Sequence, residues 1–229
     1  MATLLGAAVV ATATTNAKAA GPDFSAGASV VQVHASPASG RKVSLGSGVV
    51  TDKNRVVTNC HVIRDAQRVV VSKGALRFDA VAQHADIKRD ICVLDVPTLS
   101  AIPARVGSSG KLRRGEPLIA FGFPRATGLS ASFGEVVALH KYRGDFVIET
   151  STAIAGGSSG GGIFNEAGQL VGLATFFSAS SHPHYFALPT SWISAVGRAP
   201  KRAIEPLLGI PFWQDRNRLP PFLRILLSK

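Results

Sequence analysis

Acidic residues are scarce in this sequence. Fourteen Asp and Glu stand against 25 Lys and Arg, a formal net charge of +11, yet all charged residues together make up only 17% of the 229 positions. With 46% hydrophobic residues, so low a charge density excludes an intrinsically disordered chain. Heptads of Leu, Ala, Glu and Lys are missing, which excludes a coiled coil. Only two cysteines occur, too few for a disulfide-dense scaffold. Aromatics are 7% and do not alternate with basic residues, so the positive charge lacks the stacking partners of a nucleic-acid reader. No nucleic-acid partner is expected. The apolar run from Leu4 to Ala13 is too short to span a bilayer but has the length of a leader core.

What is abundant is punctuation, with 23 Gly and 13 Pro. Between Ser29 and Pro189 short β-branched and aromatic runs alternate with Gly, Pro, Asn and Ser, and no helical period dominates. One set of runs covers 30–34, 43–51, 55–59, 69–72, 77–83 and 91–96. A second covers 118–123, 132–139, 146–150, 161–164, 170–177 and 185–188. Evenly spaced short strands of this kind indicate closed barrels or a sandwich. The split around 103–114 suggests two halves of six strands each. Pro189-Thr190-Ser191 ahead of 192–196 reads as a short capped helix. The expected organisation is a leader at 1–19, cleaved before Ala20 although no Lys or Arg follows Met1, and a main domain at 20–197. Within that domain lie an N-terminal barrel at about 28–102 and a C-terminal barrel at about 115–190. A basic extension at 198–229 completes the chain.

Three segments carry chemistry. Val56-Val57-Thr58-Asn59-Cys60-His61-Val62 runs an apolar strand into a histidine. Arg89-Asp90-Ile91-Cys92-Val93-Leu94 places an acid at the entry to another. Gly156-Gly157-Ser158-Ser159-Gly160-Gly161-Gly162 sets serines in a bed of glycines. Singly, each has a plain structural reading: a hydrogen-bonded histidine, a turn, a flexible loop. Together they supply what serine attack on a carbonyl requires. These are a nucleophile (Ser159), a base (His61), an acid to orient the base (Asp90) and backbone N–H groups for the oxyanion. The glycines let the N–H groups of Gly157 and Ser159 turn into one pocket, and Ser158 is counted with them. Of the aspartates between His61 and Ser159, only Asp90 has an apolar continuation that would bury it. Gly157-Ser158-Ser159-Gly160-Gly161 also fits the nucleophile elbow of α/β-hydrolases. That fold needs the order serine, acid, histidine and helices between strands; the one acid between Ser159 and His184 is Glu166, too near Ser159 to sit on another strand end, and no helices alternate with the strands.

Thr58-Asn59-Cys60-His61-Val62 resembles the histidine motif of the trypsin-like serine proteases, and is most similar to that of the bacterial HtrA/Deg branch. Asp90-Ile91-Cys92-Val93-Leu94 and Gly157-Ser158-Ser159-Gly160-Gly161 resemble its acid and nucleophile motifs. Gly46-Ser47-Gly48-Val49-Val50, Gly168-Gln169-Leu170-Val171-Gly172-Leu173 and Phe186-Ala187-Leu188-Pro189 resemble its flanking strands. The likeness runs in order over about 28–197. It implies an all-β fold of two six-stranded antiparallel barrels with a short C-terminal helical segment. It also implies a triad of His61, Asp90 and Ser159, in which motif register selects Ser159 over Ser158.

The family's specificity pocket would fall at Ala153 and Ala174, with no acid at its base, so a small or medium apolar side chain is expected before the scissile bond. If His61 and Asp90 meet, Cys60 and Cys92 come close enough to bond, the alternative being two buried free thiols. Ala155-Gly156 stands where the family has Asn-Pro, and Gly162 is an extra glycine. The loop is therefore expected to be looser than usual. Only about thirty residues follow Gly197, too few for the PDZ domain usual in HtrA-like proteins.

No metal or cofactor motif is present, and His182-Pro183-His184 offers only two histidines. The expected function is an exported serine endopeptidase, periplasmic or secreted, acting on protein or peptide substrates without a cofactor. A non-catalytic protease-like binding module is the alternative. The tail, with Phe222 to Leu227 after Pro220-Pro221, is expected to pack on a barrel as a helix. Contact with an anionic membrane surface is the second possibility for it.

Overall fold

The structure, a computed structural model, describes residues 23–38, 42–178 and 183–227. The leader expected at 1–19 lies outside them, as does His182. The β-branched runs become fourteen strands in two antiparallel assemblies. The first comprises β1 (Val30–Ser36), β2 (Ser44–Asp52), β3 (Arg55–Thr58), β4 (Arg68–Lys73), β5 (Leu76–Asp79), β6 (Ala82–Asp86) and β7 (Ile91–Asp95). Their order in the sheet is β5-β4-β1-β2-β3-β7-β6. The sequence suggests one strand at 77–83; the structure has two, because the chain changes partners there. Ala80 N–H still bonds the Val69 carbonyl on the β4 side at 2.9 Å, and Val81 N–H already bonds Asp95 on the β7 side at 2.9 Å. The bend links the two edge strands, β5 and β6, which do not pair, so the first assembly is a seven-stranded half-barrel rather than the closed six-stranded barrel expected from sequence.

The second assembly contains β8 (Arg105–Val106), β9 (Pro117–Gly122), β10 (Ser130–Tyr142), β11 (Asp145–Thr150), β12 (Gly162–Asn165), β13 (Gln169–Ser178) and β14 (His184–Pro189). The order β12-β9-β10-β11-β14-β13 closes on itself by pairing β12 with β13, giving a six-strand barrel. The two-residue β8, which the sequence treats as connector, adds in parallel to the outside of β13. The β10–β11 hairpin turns on Arg143 (φ 48°) and Gly144 (φ 84°) between the paired Tyr142 and Asp145. Two left-handed residues in a two-residue loop match the twist of the flanking strands.

Each barrel buries its own apolar faces. Val31, Val33, Val50, Val56, Val69 and Leu94 fill the first, and Leu118, Val136, Ile148, Ile163 and Ala187 the second. A third cluster crosses between them, from Val49, Val57 and Ile91 to Phe164, Leu173 and Phe186. It continues into α2 (Thr190–Val196) through Trp192 and Ile193 and into the tail through Phe212 and Leu223. The extension after α2 wraps both barrels. Gln83 and Arg202 exchange backbone hydrogen bonds at 2.9 Å, and Leu207 N–H reaches the Arg64 carbonyl at 2.7 Å. The buried Gln83 amide donates to the carbonyls of Ala203 and Glu205 at 3.0 and 2.8 Å. The final helix, α3 (Pro221–Leu227), lays Phe222 over His140 with centroids 4.4 Å apart and buries Leu223. This packing engages the apolar face of α3.

Candidate active site

Strand register brings His61 and Asp90 together. In the β3–β7 pair Thr58 lies opposite Cys92 and Val57 opposite Val93. The residues just past the end of β3 therefore face those just before the start of β7. Past β3 the chain makes one helical turn, α1 (Cys60–Ile63), which carries His61. Before β7 stands Asp90, at φ 60°. A left-handed non-glycine backbone is uncommon, and here it aims the carboxylate back at α1. Asp90 Oδ1 accepts the His61 backbone N–H at 2.8 Å, and Oδ2 lies 2.7 Å from His61 Nδ1. Asp90 is fully buried, whereas the His61 side chain keeps 20% exposure. A buried carboxylate must be matched by donors. With Nδ1–H given to the acid, Nε2 of His61 is left as the proton acceptor.

Cys60 and Cys92 are joined by a disulfide with Cα atoms 5.0 Å apart, clamping α1 to the first turn of β7. Asn59 crosses to the other barrel. Its amide donates to the Asp90 carbonyl at 2.9 Å and to Thr175 Oγ1 at 3.1 Å.

Ser159 lies on the 155–161 loop between β11 and β12. Its hydroxyl donates to the Thr175 carbonyl at 3.1 Å, and among the described residues no hydrogen bond joins it to His61. The loop is tied on every side. Ser47 N–H donates to the Ser159 carbonyl at 2.8 Å. The Ser47 hydroxyl donates to the Gly157 carbonyl at 2.8 Å and accepts Phe123 N–H at 2.9 Å. Gly160, at φ 86°, has no room for a side chain, since a Cβ would come within 2.1 Å of the Ser47 carbonyl oxygen.

The peptide directions matter most. Arg125 N–H holds the Gly156 carbonyl at 2.7 Å, and Gly161 N–H holds the Ser158 carbonyl at 2.9 Å. In a planar trans peptide the N–H points opposite to the C=O. The N–H groups of Gly157 and Ser159 are therefore turned away from those anchors, and neither has a partner among the described residues. Ser158 differs, because its N–H is spent on the Ala155 carbonyl at 2.9 Å. Of the three residues assigned to the oxyanion pocket from sequence, Ser158 is thus corrected to a loop-closing role. The expectation of a looser loop is also corrected. Gly156 is pinned by Arg125, and Gly162 belongs to β12, where a Cβ would meet the Phe164 ring at 2.3 Å.

Beside Ser158 opens a cavity of 320 Å³ lined by Ala153, Ile154, Ala155, Ala174 and Ser132 among others, with no ionisable side chain on its wall. The two alanines singled out from sequence both line it.

Three contributors were not read from the sequence. Arg125 acts through its backbone and Ser47 through a hydroxyl in a glycine-flanked strand. Trp213, from the tail, donates its indole N–H to Asp90 Oδ2 at 3.0 Å. The only available signal for Trp213 was a Pro-Phe-Trp cluster in an otherwise basic stretch.

Elsewhere, His184 Nδ1 and His140 Nε2 each lie 2.6 Å from one oxygen of Glu149. The hydrogen bond from His140, with His184 adding to it and burial opposing, holds the Glu149 carboxyl below the ordinary glutamate range.

Residues 46–173 match the trypsin-like peptidase domain family model. The chain is 35% identical over 142 residues to the serine endoprotease DegS of Haemophilus influenzae, covering 58% of this chain and 41% of that one. It is 35% identical over 140 residues to the periplasmic pH-dependent serine endoprotease DegQ of Escherichia coli, covering 57% and 31%. The chain thus spans less than half the length of these relatives. Among solved structures, the HtrA-type protease AlgW with tripeptide superposes with TM-score 0.68 at 27% identity, over 75% of this chain and 60% of that one. The active form of the Rv3671c protease from M. tuberculosis gives TM-score 0.71 over 81% and 92%, a likeness of fold at 22% identity.

Proposed function

The chain belongs to the trypsin-like peptidase family, and from that premise we propose that it is an exported serine endopeptidase whose triad is His61, Asp90 and Ser159. The observation that carries the proposal is the buried Asp90 carboxylate bonded twice to His61, at 2.8 and 2.7 Å, beside a serine loop with two unspent N–H groups. On substrate binding the Ser159 hydroxyl turns from the Thr175 carbonyl toward His61. Oγ attacks the scissile carbonyl carbon as Nε2 takes its proton, and the carbonyl π pair becomes the oxyanion, held by the N–H groups of Gly157 and Ser159. Collapse of the tetrahedral adduct breaks the C–N bond, and the imidazolium returns the proton to the departing amine. Water, deprotonated by the same imidazole, then releases the acyl group. Asp90 keeps the Nδ1–H tautomer and stabilises the imidazolium without taking the proton.

The uncharged cavity beside Ser158 takes the side chain before the scissile bond. Its volume of 320 Å³ and its alanine walls suit a small or medium apolar group. Export is supported by the leader-like sequence at 1–19, by a disulfide suited to an oxidising compartment, and by the periplasmic designation of DegQ. The peptidase domain is taken as 20–197, with 198–229 as an extension whose described part, 198–227, packs on it.

The test is hydrolysis of casein and of a peptide library by wild type and by Ser159→Ala. Cleavage by wild type alone, after small apolar residues, is the expected result. Cleavage that survives the substitution overturns the site. A marked preference for Arg overturns the pocket assignment. No cleavage by either protein favours a binding module.

A further inference from the structure

Asp90 Oδ1 and Oδ2 receive two donors from His61 itself, so these bonds alone would let acid and base shift as a unit. The third donor comes from the far end of the chain. Trp213 Nε1–H reaches Oδ2 at 3.0 Å across 123 residues of sequence. The nearby Thr175 hydroxyl is committed elsewhere, donating to the Leu173 carbonyl at 2.7 Å and accepting Asn59 Nδ2 at 3.1 Å.

The segment around Trp213 is firmly seated. Phe212 is buried and its N–H bonds the Lys88 carbonyl at 3.0 Å. Gln214 Oε1 accepts from Arg64 Nη2 at 2.8 Å. The Trp213 ring stacks on Phe176 (4.8 Å, 9°) and stands edge-on to His61 (5.4 Å, 86°). An indole N–H only donates and does not titrate. It therefore bonds the ionised carboxylate more strongly than the protonated acid. With Asp90 ionised and oriented, Nδ1 of His61 stays protonated and Nε2 stays free to accept the Ser159 proton.

We propose that Trp213 is a positioning residue for the triad acid, so that the C-terminal segment completes the active site. This rests on the peptidase reading above. Ionisable groups near the pair include Asp65 and Lys42, which line a cavity with His61, Arg64 on α1's C-terminal side, Lys88, whose carbonyl holds Phe212, and Arg89, which is paired with Asp86 and lies over Trp192. None is altered by changing Trp213.

The test uses the full chain carrying Trp213→Phe, which keeps a stacking ring and removes the donor. The measurements are melting temperature, kcat/KM against pH on a peptide ester, and fluorophosphonate labelling rate. The variant is expected to fold, to lose about tenfold in plateau kcat/KM, and to show a pH–rate profile that differs from that of wild type on its acid side, because the carboxylate facing Nδ1 of His61 has lost one of its three donors.

A second measurement reads the bond directly in wild type. The Trp213 indole 1H–15N resonance should move through the pH range of the acid limb, while that of Trp192 does not. A folded Trp213→Phe protein with wild-type rate and pH profile overturns the proposal. So does a Trp213 resonance indifferent to that titration, and this settles the matter if the variant does not fold. A wild-type protein that neither labels nor cleaves overturns the peptidase reading instead, and the indole resonance still reports whether Asp90 is held.

Discussion

Opening the Cys60–Cys92 bridge perturbs the site at a place where the magnitude can be worked from the structure. The bridge closes a loop with a sequence separation of 32. Loop-closure entropy removed from the unfolded chain comes to about 12 cal/mol/K, or about 3.7 kcal/mol at 25 °C. For a domain of this size each kcal/mol corresponds to about 2–4 °C, so the melting temperature should fall by about 7–15 °C. Both sulfurs are buried, at 2% and 0% exposure, so the comparison is best made on protein refolded with and without reductant and melted in the same buffers. Turnover below both melting temperatures should be largely kept, because the Thr58–Cys92 pairing still sets the acid beside the base. A shift of less than 2 °C, or two titratable thiols in protein unfolded without reductant, would refute the clamp.

Four further outcomes follow from the loop and the second barrel. Gly160→Ala should cost upward of about 3 kcal/mol and abolish activity, since it adds left-handed strain to a backbone clash. Gly156→Ala, which meets nothing within 4 Å, should leave the melting temperature within a degree or two, as thermal melts would show. Ser47→Ala removes the hydroxyl shared by the Gly157 carbonyl and Phe123 N–H. It should lower kcat/KM about tenfold through the oxyanion loop, and the two groups left unpaired should lower the melting temperature by several degrees. Glu149 is held below its ordinary value by His140 and then His184. A depressed carboxylate contributes stability above its unfolded pKa and loses it as pH falls through the folded value. Denaturant titrations should therefore show wild type weakening below about pH 4.5, with Glu149→Gln less stable at pH 7 and flatter on the acid side.

Most strands were legible because alternating β-branched runs between turn residues leave few other ways to bury one face. The bend at Ala80–Val81 was not, since nothing in 77–83 marks where backbone bonds pass from β4 to β7. His61, Asp90 and the Ser159 loop stood out because serine-protease chemistry demands particular side chains at particular offsets, and of these the structure bonds His61 to Asp90. What escaped was held by backbone or by distance. Arg125 contributes an N–H that any non-proline residue would carry. Ser158 fails as an oxyanion donor only because its peptide faces Ala155. Trp213 sits in a proline-broken tail with no period, and its partner lies in the other half of the sequence. The extra Gly162 looked like slack and is a packing requirement of the Phe164 ring.

The central claim is that Ser159 becomes nucleophilic through His61 and Asp90, and covalent trapping tests it most directly. Wild type, Ser159→Ala and His61→Ala would be treated with a fluorophosphonate and analysed by intact mass and peptide mapping. The account predicts one adduct per wild-type chain, mapped to Ser159, absent from Ser159→Ala and slowed by several orders of magnitude in His61→Ala. An adduct on Ser158, or labelling of Ser159 at an unchanged rate without His61, would contradict it.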